Sequence, residues 1–133
     1  MLYCADTWFI LKLFEQDAKA LELLQNTKYG KDRIIIPLVV FTEGTKKLLQ
    51  WGISQERINT FFDYIEASPH IILVFPNKDL ATRTAHISLT FSLSIMDAFV
   101  ATTAIMNNCE ILLTKDSDYD LLKKKKYVKV QSW

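Results

Sequence analysis

The sequence predicts an α/β fold, a three-layer α/β/α sandwich around a mostly parallel central sheet. Short apolar segments typical of buried strands alternate with amphipathic helical patterns along the whole chain. The 133 residues include only three glycines and three prolines, which leaves little sequence for linkers or disorder. We therefore expect a single domain that spans residues 1–133.

The first half of the chain is expected to form, in order, a strand, two helices, a strand and two helices. Apolar residues at spacings of three and four mark the first helix, with Phe9, Ile10 and Leu13 on one face. Pro37 suits the first turn of a helix and is expected to open the third one. The predicted strands are 1–5 and 33–36, and the predicted helices are 7–16, 17–30, 37–52 and 54–68.

The second half is expected to continue with a strand, two helices, a strand, a helix and a last strand. Ser94 is a suitable N-cap for the second of these helices. In open parallel sheets, ligands bind beyond the carboxyl ends of the strands, so acidic residues just past a strand are candidates for a functional site. The predicted strands are 70–75, 110–114 and 127–133, and the predicted helices are 77–91, 94–108 and 117–126.

Two aspartates closely follow predicted strands. Asp6 comes directly after the first strand, and Asp116 comes shortly after the fourth. If both strands are parallel, both carboxylates emerge at the same edge of the sheet, although Asp6 could instead cap the next helix. Farther along, Ser117 and Asp120 have the spacing of a capping box. This spacing makes Asp120 structural and leaves Asp118 as an auxiliary residue between the two roles.

Two predicted helices each carry a carboxylate among apolar residues. Glu43 lies near the end of the second strand, where it serves either a site or a solvated ion pair with Lys47. Asp97 is the only acidic or basic residue, histidine aside, within 84–109, in a helix that is apolar or small nearly all round. A buried carboxylate needs a partner or takes up a proton. Because Ser94 already supplies the cap, a functional role for Asp97 is favoured.

Several carboxylates at one edge repel each other, and a divalent cation would compensate their charge. The histidines His70 and His86 fit no ligand pattern, and Cys4 and Cys109 are interpreted as buried free thiols. Hard oxygen ligands therefore indicate Mg²⁺ or Mn²⁺ rather than zinc. Because the sequence has no phosphate-cradling loop of the GxxxxGK[ST] type, we expect such a site to hydrolyse phosphodiesters.

Four sequence blocks resemble the PIN-domain nucleases, in the order that this family has them. The blocks span residues 2–119, and the last one has Tyr119 where phenylalanine is usual. The chain length resembles that of the small VapC-like toxins. The blocks are LYCADTWFIL, PLVVFTEG, SIMDAFVATTA and ILLTKDSDY.

The resemblance implies a PIN-like sandwich fold and a Mg²⁺- or Mn²⁺-dependent endoribonuclease, acting as the toxin of a toxin–antitoxin pair. It also implies a homodimer, and an antitoxin protein whose tail enters the acidic groove. A solitary RNA-processing PIN nuclease is the alternative within the family. The residues that it implies are Asp6, Glu43, Asp97 and Asp116 for metal binding and catalysis, Asp118 as a further metal ligand, and Thr7 and Thr114 as hydroxyls that orient the carboxylates.

An acidic site needs nearby positive charge to hold RNA phosphates, but the net charge of +1 gives no global basic field. Lys12, Lys46, Lys47 and the indole of Trp8 are the candidate RNA contacts. The lysine run 123–126 is interpreted as a solvated helix end, since consecutive side chains point all around a helix.

Two other classes of function remain open. A phospho-receiver-like signalling module is also small and α/β, but Asp6 stands alone where such a module has an acidic pair. A non-catalytic binding scaffold is less consistent with four filled acidic positions. The sequence has no signal-peptide pattern and no apolar run of membrane-spanning length, so we expect a cytoplasmic protein without a membrane partner.

Overall fold

The structure, a computed structural model, describes residues 1–124 and 127–133 and confirms the predicted α/β fold. Its centre is a five-stranded sheet in the order β3-β2-β1-β4-β5, and every pair of neighbouring strands is parallel. This order places the first strand in the middle of the sheet. The strands are β1 (Leu2–Ala5), β2 (Arg33–Pro37), β3 (Ile71–Val74), β4 (Ile111–Leu113) and β5 (Lys129–Gln131).

The helices connect these strands and cover the sheet. The last long helix packs against β1, β2 and β4, and the helix before it packs mainly on that last long helix. The first helix contacts its own strand, the second helix and the third helix. The helices are α1 (Thr7–Phe14), α2 (Ala18–Lys28), α3 (Leu38–Gln50), α4 (Gln55–Glu66), α5 (Lys78–Phe91), α6 (Ile95–Met106) and α7 (Asp120–Lys124), the last preceded by a 3₁₀ turn, Ser117–Tyr119.

Small side chains bring α6 close to the sheet. Ala98, Ala101 and Ala104 recur at every third position of this helix, and all three are fully buried. The Cys4 thiol of β1 lies 3.8 Å from the Val100 carbonyl oxygen of α6. Because the helix rests directly on the central strand, its first turn is held rigidly above the carboxyl ends of β1 and β4.

The structure corrects the predicted boundaries in two places. Pro37 ends β2, with an extended backbone paired to Val74 of β3, and it precedes α3 as the N-cap rather than as the first helical residue. A proline ring fixes only φ, so the ψ of 138° decides for the strand. The other correction concerns the segment after β4, where Asp116 rather than Ser117 caps the 3₁₀ turn.

The remaining boundaries differ by a few residues at helix and strand ends. Gln16, just past α1, has a φ of +61°, a backbone conformation that cannot continue a helix. The last predicted strand, 127–133, is ordered as a strand only over Lys129–Gln131. The predicted helix 117–126 includes 125–126, which lie outside the described residues.

No single helix within residues 1–124 and 127–133 is both long and apolar enough to cross a membrane. The helices α5 and α6 reach that length and composition only together, across a bend of 112°.

Candidate metal-binding site

The strand order brings two chain segments together at the carboxyl edge of the sheet. β1 and β4 are neighbours, with Ala5 opposite Leu113. The backbone N–H of Asp6 donates to the Leu113 carbonyl oxygen at 3.1 Å, which extends the pairing by one residue. Asp6 and Thr114 therefore leave their strands side by side, as the sequence predicted for parallel neighbours.

Asp6 is held at this edge by two hydrogen bonds. Its Oδ1 accepts from the Thr7 backbone N–H at 2.8 Å, and its Oδ2 accepts from the Thr114 hydroxyl at 2.6 Å. Burial raises the pKa of Asp6 from 3.8 to about 6, against these two hydrogen bonds and with a contribution from the Glu43 and Asp97 charges. Asp6 thus caps α1 while the charges of Glu43 and Asp97 act on it, so the cap is confirmed and the role of Asp6 in a metal site stays a prediction.

Asp116 is fixed by the loop that follows β4. Its backbone N–H donates to the Thr114 hydroxyl oxygen at 3.1 Å. Its Oδ1 accepts from the Asp118 backbone N–H at 2.8 Å, and this bond caps the 3₁₀ turn. The predicted capping box between Ser117 and Asp120 is wrong, because the Asp120 backbone N–H, which the Ser117 hydroxyl would have to accept, donates to the Ser117 carbonyl oxygen instead.

Asp97 lies in the first turn of α6, the helix that packs against β1 and β4. Its backbone N–H donates to the Ser94 hydroxyl oxygen at 3.3 Å, so Ser94 caps the helix as predicted. Its Oδ1 accepts from the Tyr119 hydroxyl at 3.2 Å. Partial burial, and next the charge of Asp116, raises the pKa of Asp97.

Three carboxylates converge at this point. One oxygen each of Asp97, Asp116 and Asp118 can be chosen so that all three lie within 4.8 Å of one another. The ion pairs of acidic side chains within residues 1–124 and 127–133 involve other carboxylates, so none of the lysines and arginines described there forms an ion pair with this group.

The donor set fits a hard divalent cation. The three converging ligands are carboxylate oxygens, without a histidine or cysteine in the group. Next to Asp6 in the chain, the Thr7 hydroxyl is buried and has no hydrogen-bond partner within the described chain. A buried polar atom of this kind normally has a partner, so a bound cation with its water ligands would complete the surroundings of Thr7.

Glu43 stands apart from the converging group. Its Oε1 lies 3.2 Å from the Lys47 ammonium, which is the ion pair that the sequence offered as the alternative. Glu43 nevertheless raises the pKa of Asp6, so its charge acts on the same edge of the sheet. The structure therefore places Glu43 at the border of the site, next to a cation, rather than among the converging oxygens.

The candidate RNA contacts are arranged around α1 and α3. Lys12 pairs with Glu15 at 3.6 Å, and Lys46 is exposed. The Trp8 indole is partly buried against Trp133, with ring centroids 5.0 Å apart at an interplanar angle of 63°. Trp8 is therefore a packed ring with a remaining exposed part rather than a free stacking surface.

Sequence reasoning missed the contribution of Tyr119. It treated this side chain only as a substitute for phenylalanine, whereas its hydroxyl donates to Asp97 across 22 residues of sequence. Burial, and then the charges of Asp6 and Asp97, raises the pKa of Tyr119 far above 10.0, so the hydroxyl stays protonated. A phenolic hydroxyl added to an otherwise apolar position beside three aspartates was the available signal.

The comparisons with known proteins agree with this architecture. The family model described as the PIN domain matches residues 3–125. VapBC2 from Rickettsia felis, solved with a DNA fragment of the VapBC2 promoter, is similar over 100% of this chain and 99% of its own, at 16% identity and a TM-score of 0.74.

Two further solved structures have the same fold. VapBC-1 from nontypeable Haemophilus influenzae covers 100% of this chain and 98% of its own, at 17% identity and a TM-score of 0.69. A toxin–antitoxin complex from Klebsiella pneumoniae covers 98% of this chain and 96% of its own, at 18% identity and a TM-score of 0.67. A search of curated protein sequences found no match.

Proposed function

The chain belongs to the PIN domain family, a family of nucleases, and on that premise we propose that it is a Mg²⁺- or Mn²⁺-dependent endoribonuclease. The whole chain, residues 1–133, would act as one nuclease domain. The observation that carries the proposal is the convergence of Asp97, Asp116 and Asp118 within 4.8 Å, beside the buried Asp6. These four carboxylates make no ion pair within residues 1–124 and 127–133, and such a group is costly unless a cation occupies its centre.

Each carboxylate has a distinct role in this proposal. Asp97 and Asp116 each use one oxygen for a hydrogen bond within the protein, so the other oxygen is available to a cation. Asp118 is the most exposed of the three and would bind through the cation's water ligands or a second cation. A divalent cation held here would supply an activated water and stabilise negative charge on the leaving oxygen.

Asp6 and Glu43 are the two remaining carboxylates of the proposed site. Asp6 is fixed by Thr7 and Thr114, and its pKa of about 6 makes it the most basic carboxylate with a resolved value. We assign it the uptake of a proton from the attacking water. Glu43 and its partner Lys47 would lie where the RNA backbone enters, and Lys47 could then exchange its glutamate for a phosphate.

We propose further that the chain is a VapC-like toxin held inactive by an antitoxin protein, and that it forms a homodimer. The support is the likeness in fold to the VapBC and toxin–antitoxin structures above. A small reading frame directly upstream, whose product suppresses RNA cleavage, is the expected genetic context. The mass of the purified protein in light scattering tests the homodimer.

RNA cleavage by the purified protein tests the proposed activity. We expect single-stranded RNA to be cleaved internally in Mg²⁺ or Mn²⁺, and cleavage to stop when a chelator is added. Asp97→Asn, verified as folded by circular dichroism, should reduce the rate by at least about 100-fold. Asp120→Asn is the matched control, since this nearby exposed aspartate lies outside the converging group. Equal rates for both variants, or cleavage that ignores the chelator, would refute the proposal.

A further inference from the structure

Tyr119 occupies an unusual place among the acidic residues. Its side chain is fully buried, in the 3₁₀ turn between Asp116 and α7. Its hydroxyl nevertheless reaches Asp97 Oδ1 at 3.2 Å, and the charges of Asp6 and Asp116 also act on it. Within the part of the chain that the structure describes, Asp97 is its one hydrogen-bond partner.

This hydrogen bond makes the two oxygens of Asp97 unequal. Oδ1 accepts from the Tyr119 hydroxyl at 3.2 Å, and the Ser94 hydroxyl is the other hydrogen-bond partner that favours the charged form of this carboxylate. Asp116 has the same arrangement, because its Oδ1 accepts from the Asp118 backbone N–H. For Asp116 the backbone provides this asymmetry, and for Asp97 a side chain provides it. In both carboxylates, a hydrogen bond from the protein therefore holds Oδ1 in a fixed direction.

The number of oxygens that each carboxylate gives to a cation influences which cations such a site accepts. Mg²⁺ and Mn²⁺ favour octahedral sites and take one oxygen from each carboxylate, with Mg²⁺ at about 2.0–2.1 Å. Ca²⁺ takes six to eight oxygens at about 2.3–2.6 Å, and carboxylates that bind through both oxygens help it to reach that number. A donor that engages one oxygen of Asp97 disfavours binding of a cation through both oxygens and leaves binding through one oxygen unaffected.

We propose that Tyr119 is a positioning residue that holds Asp97 in one-oxygen coordination and thereby selects small octahedral cations over Ca²⁺. This inference rests on the proposed metal site, and it assigns to Tyr119 a role in choosing the cation rather than in the reaction itself. The residue contacts neither the RNA nor the cation and acts through Asp97.

The inference is tested by the affinities of Mn²⁺, Mg²⁺ and Ca²⁺, measured by isothermal titration without RNA. Tyr119→Phe removes one buried oxygen atom and keeps the packed ring, so the fold should persist. We expect its Mn²⁺ affinity to fall by about 10-fold or more, as for other residues that orient a metal ligand. Its Ca²⁺ affinity should fall less or rise, so the preference for Mn²⁺ over Ca²⁺ declines by a similar factor.

Tyr29→Phe is the matched control. Tyr29 is 70% exposed and its hydroxyl accepts from Gln25, far along the chain from the acidic group, so this variant should keep all three wild-type affinities. An unchanged ratio of Mn²⁺ to Ca²⁺ affinity in Tyr119→Phe overturns the proposal, even if all affinities fall together, because a merely loosened site weakens every cation alike. Wild-type protein that binds no Mn²⁺ would instead refute the proposed function, and with it this inference.

A second measurement does not depend on the Tyr119 variant. Infrared difference spectra of the wild-type protein, with and without Mg²⁺, separate one-oxygen from two-oxygen carboxylate coordination by the splitting of the carboxylate bands. The bands that Asp97→Asn removes belong to Asp97. We expect the wide splitting of one-oxygen coordination for these bands, and the narrow splitting of two-oxygen coordination would overturn the proposal.

Discussion

The raised pKa of Asp6 makes the stability of the metal-free protein depend on pH in a specific direction. The folded protein binds a proton at Asp6 more tightly than the unfolded chain, with a pKa of about 6 against 3.8. The stabilisation by this proton is complete when the pH is below 3.8, the pKa of Asp6 in the unfolded chain. It is lost as the pH rises through about 6, the pKa of Asp6 in the folded protein. The difference corresponds to about 3 kcal/mol of unfolding free energy between pH 3.8 and about 6–7.

Urea unfolding at a series of pH values, in the presence of a chelator, measures this loss. Asp6→Asn is the reference, because its neutral amide cannot titrate and retains an oxygen for the Thr7 N–H. All other groups titrate in both proteins, so we expect the wild type to lose about 2.4 kcal/mol more than Asp6→Asn as the pH rises from 4 to 7. Parallel curves for the two proteins would refute the assignment of a raised pKa to Asp6.

A divalent cation should reverse this loss. Above pH 6 the ionised Asp6 is stabilised by a bound cation, so saturating Mn²⁺ should raise the unfolding free energy of the wild type most at high pH. At pH 4.5 the cation competes with the proton and should have a smaller effect. An equal Mn²⁺ effect at both pH values would show that Asp6 does not interact with the cation.

Three further predictions concern single substitutions. Thr114→Val removes the 2.6 Å hydrogen bond to Asp6 and should lower the free energy of unfolding in urea at pH 7 by about 1.5–3 kcal/mol. A decrease below about 0.5 kcal/mol would contradict the importance of this bond. Lys47→Gln breaks a partly exposed ion pair with Glu43, so stability should change by less than about 1 kcal/mol while RNA binding weakens. Filter binding at two salt concentrations checks this, and unchanged RNA affinity would exclude Lys47 as a contact. Gly44→Ala should stabilise α3 by up to about 1 kcal/mol in thermal or urea unfolding, because alanine favours a helix interior more than glycine does. The new Cβ would lie 3.4 Å from the Phe62 ring of α4, at the short end of ordinary contact, so clear destabilisation would show that this ring cannot move.

Much of the fold follows from local sequence patterns. The alternation of apolar strands with amphipathic helices predicted the parallel sheet, because each pattern depends on residues that are neighbours along the chain. Ser94 was recognisable as a helix cap for the same reason. Local rules failed where two of them competed for one residue, as at Pro37, which suits both a strand end and a helix start.

The membership of the site was only partly visible in the sequence. Asp6 and Asp116 could be selected because both follow strands, and Asp97 because it is a lone charge in an apolar helix. The sequence could not decide whether Glu43 serves the site or pairs with Lys47, because the same sequence pattern permits both. In the structure Glu43 pairs with Lys47, and its charge also raises the pKa of Asp6.

By itself the sequence determined which residues carry charge and at which edge of the sheet they emerge. The tertiary structure decided which side chains hold Asp6 and Asp97, because these donors come from distant parts of the chain. The Thr114 hydroxyl that holds Asp6 is 108 residues away, and the Tyr119 hydroxyl that holds Asp97 is 22 residues away. Such bonds exist only once β4 pairs with β1 and α6 packs across both, and neither contact has a local sequence pattern.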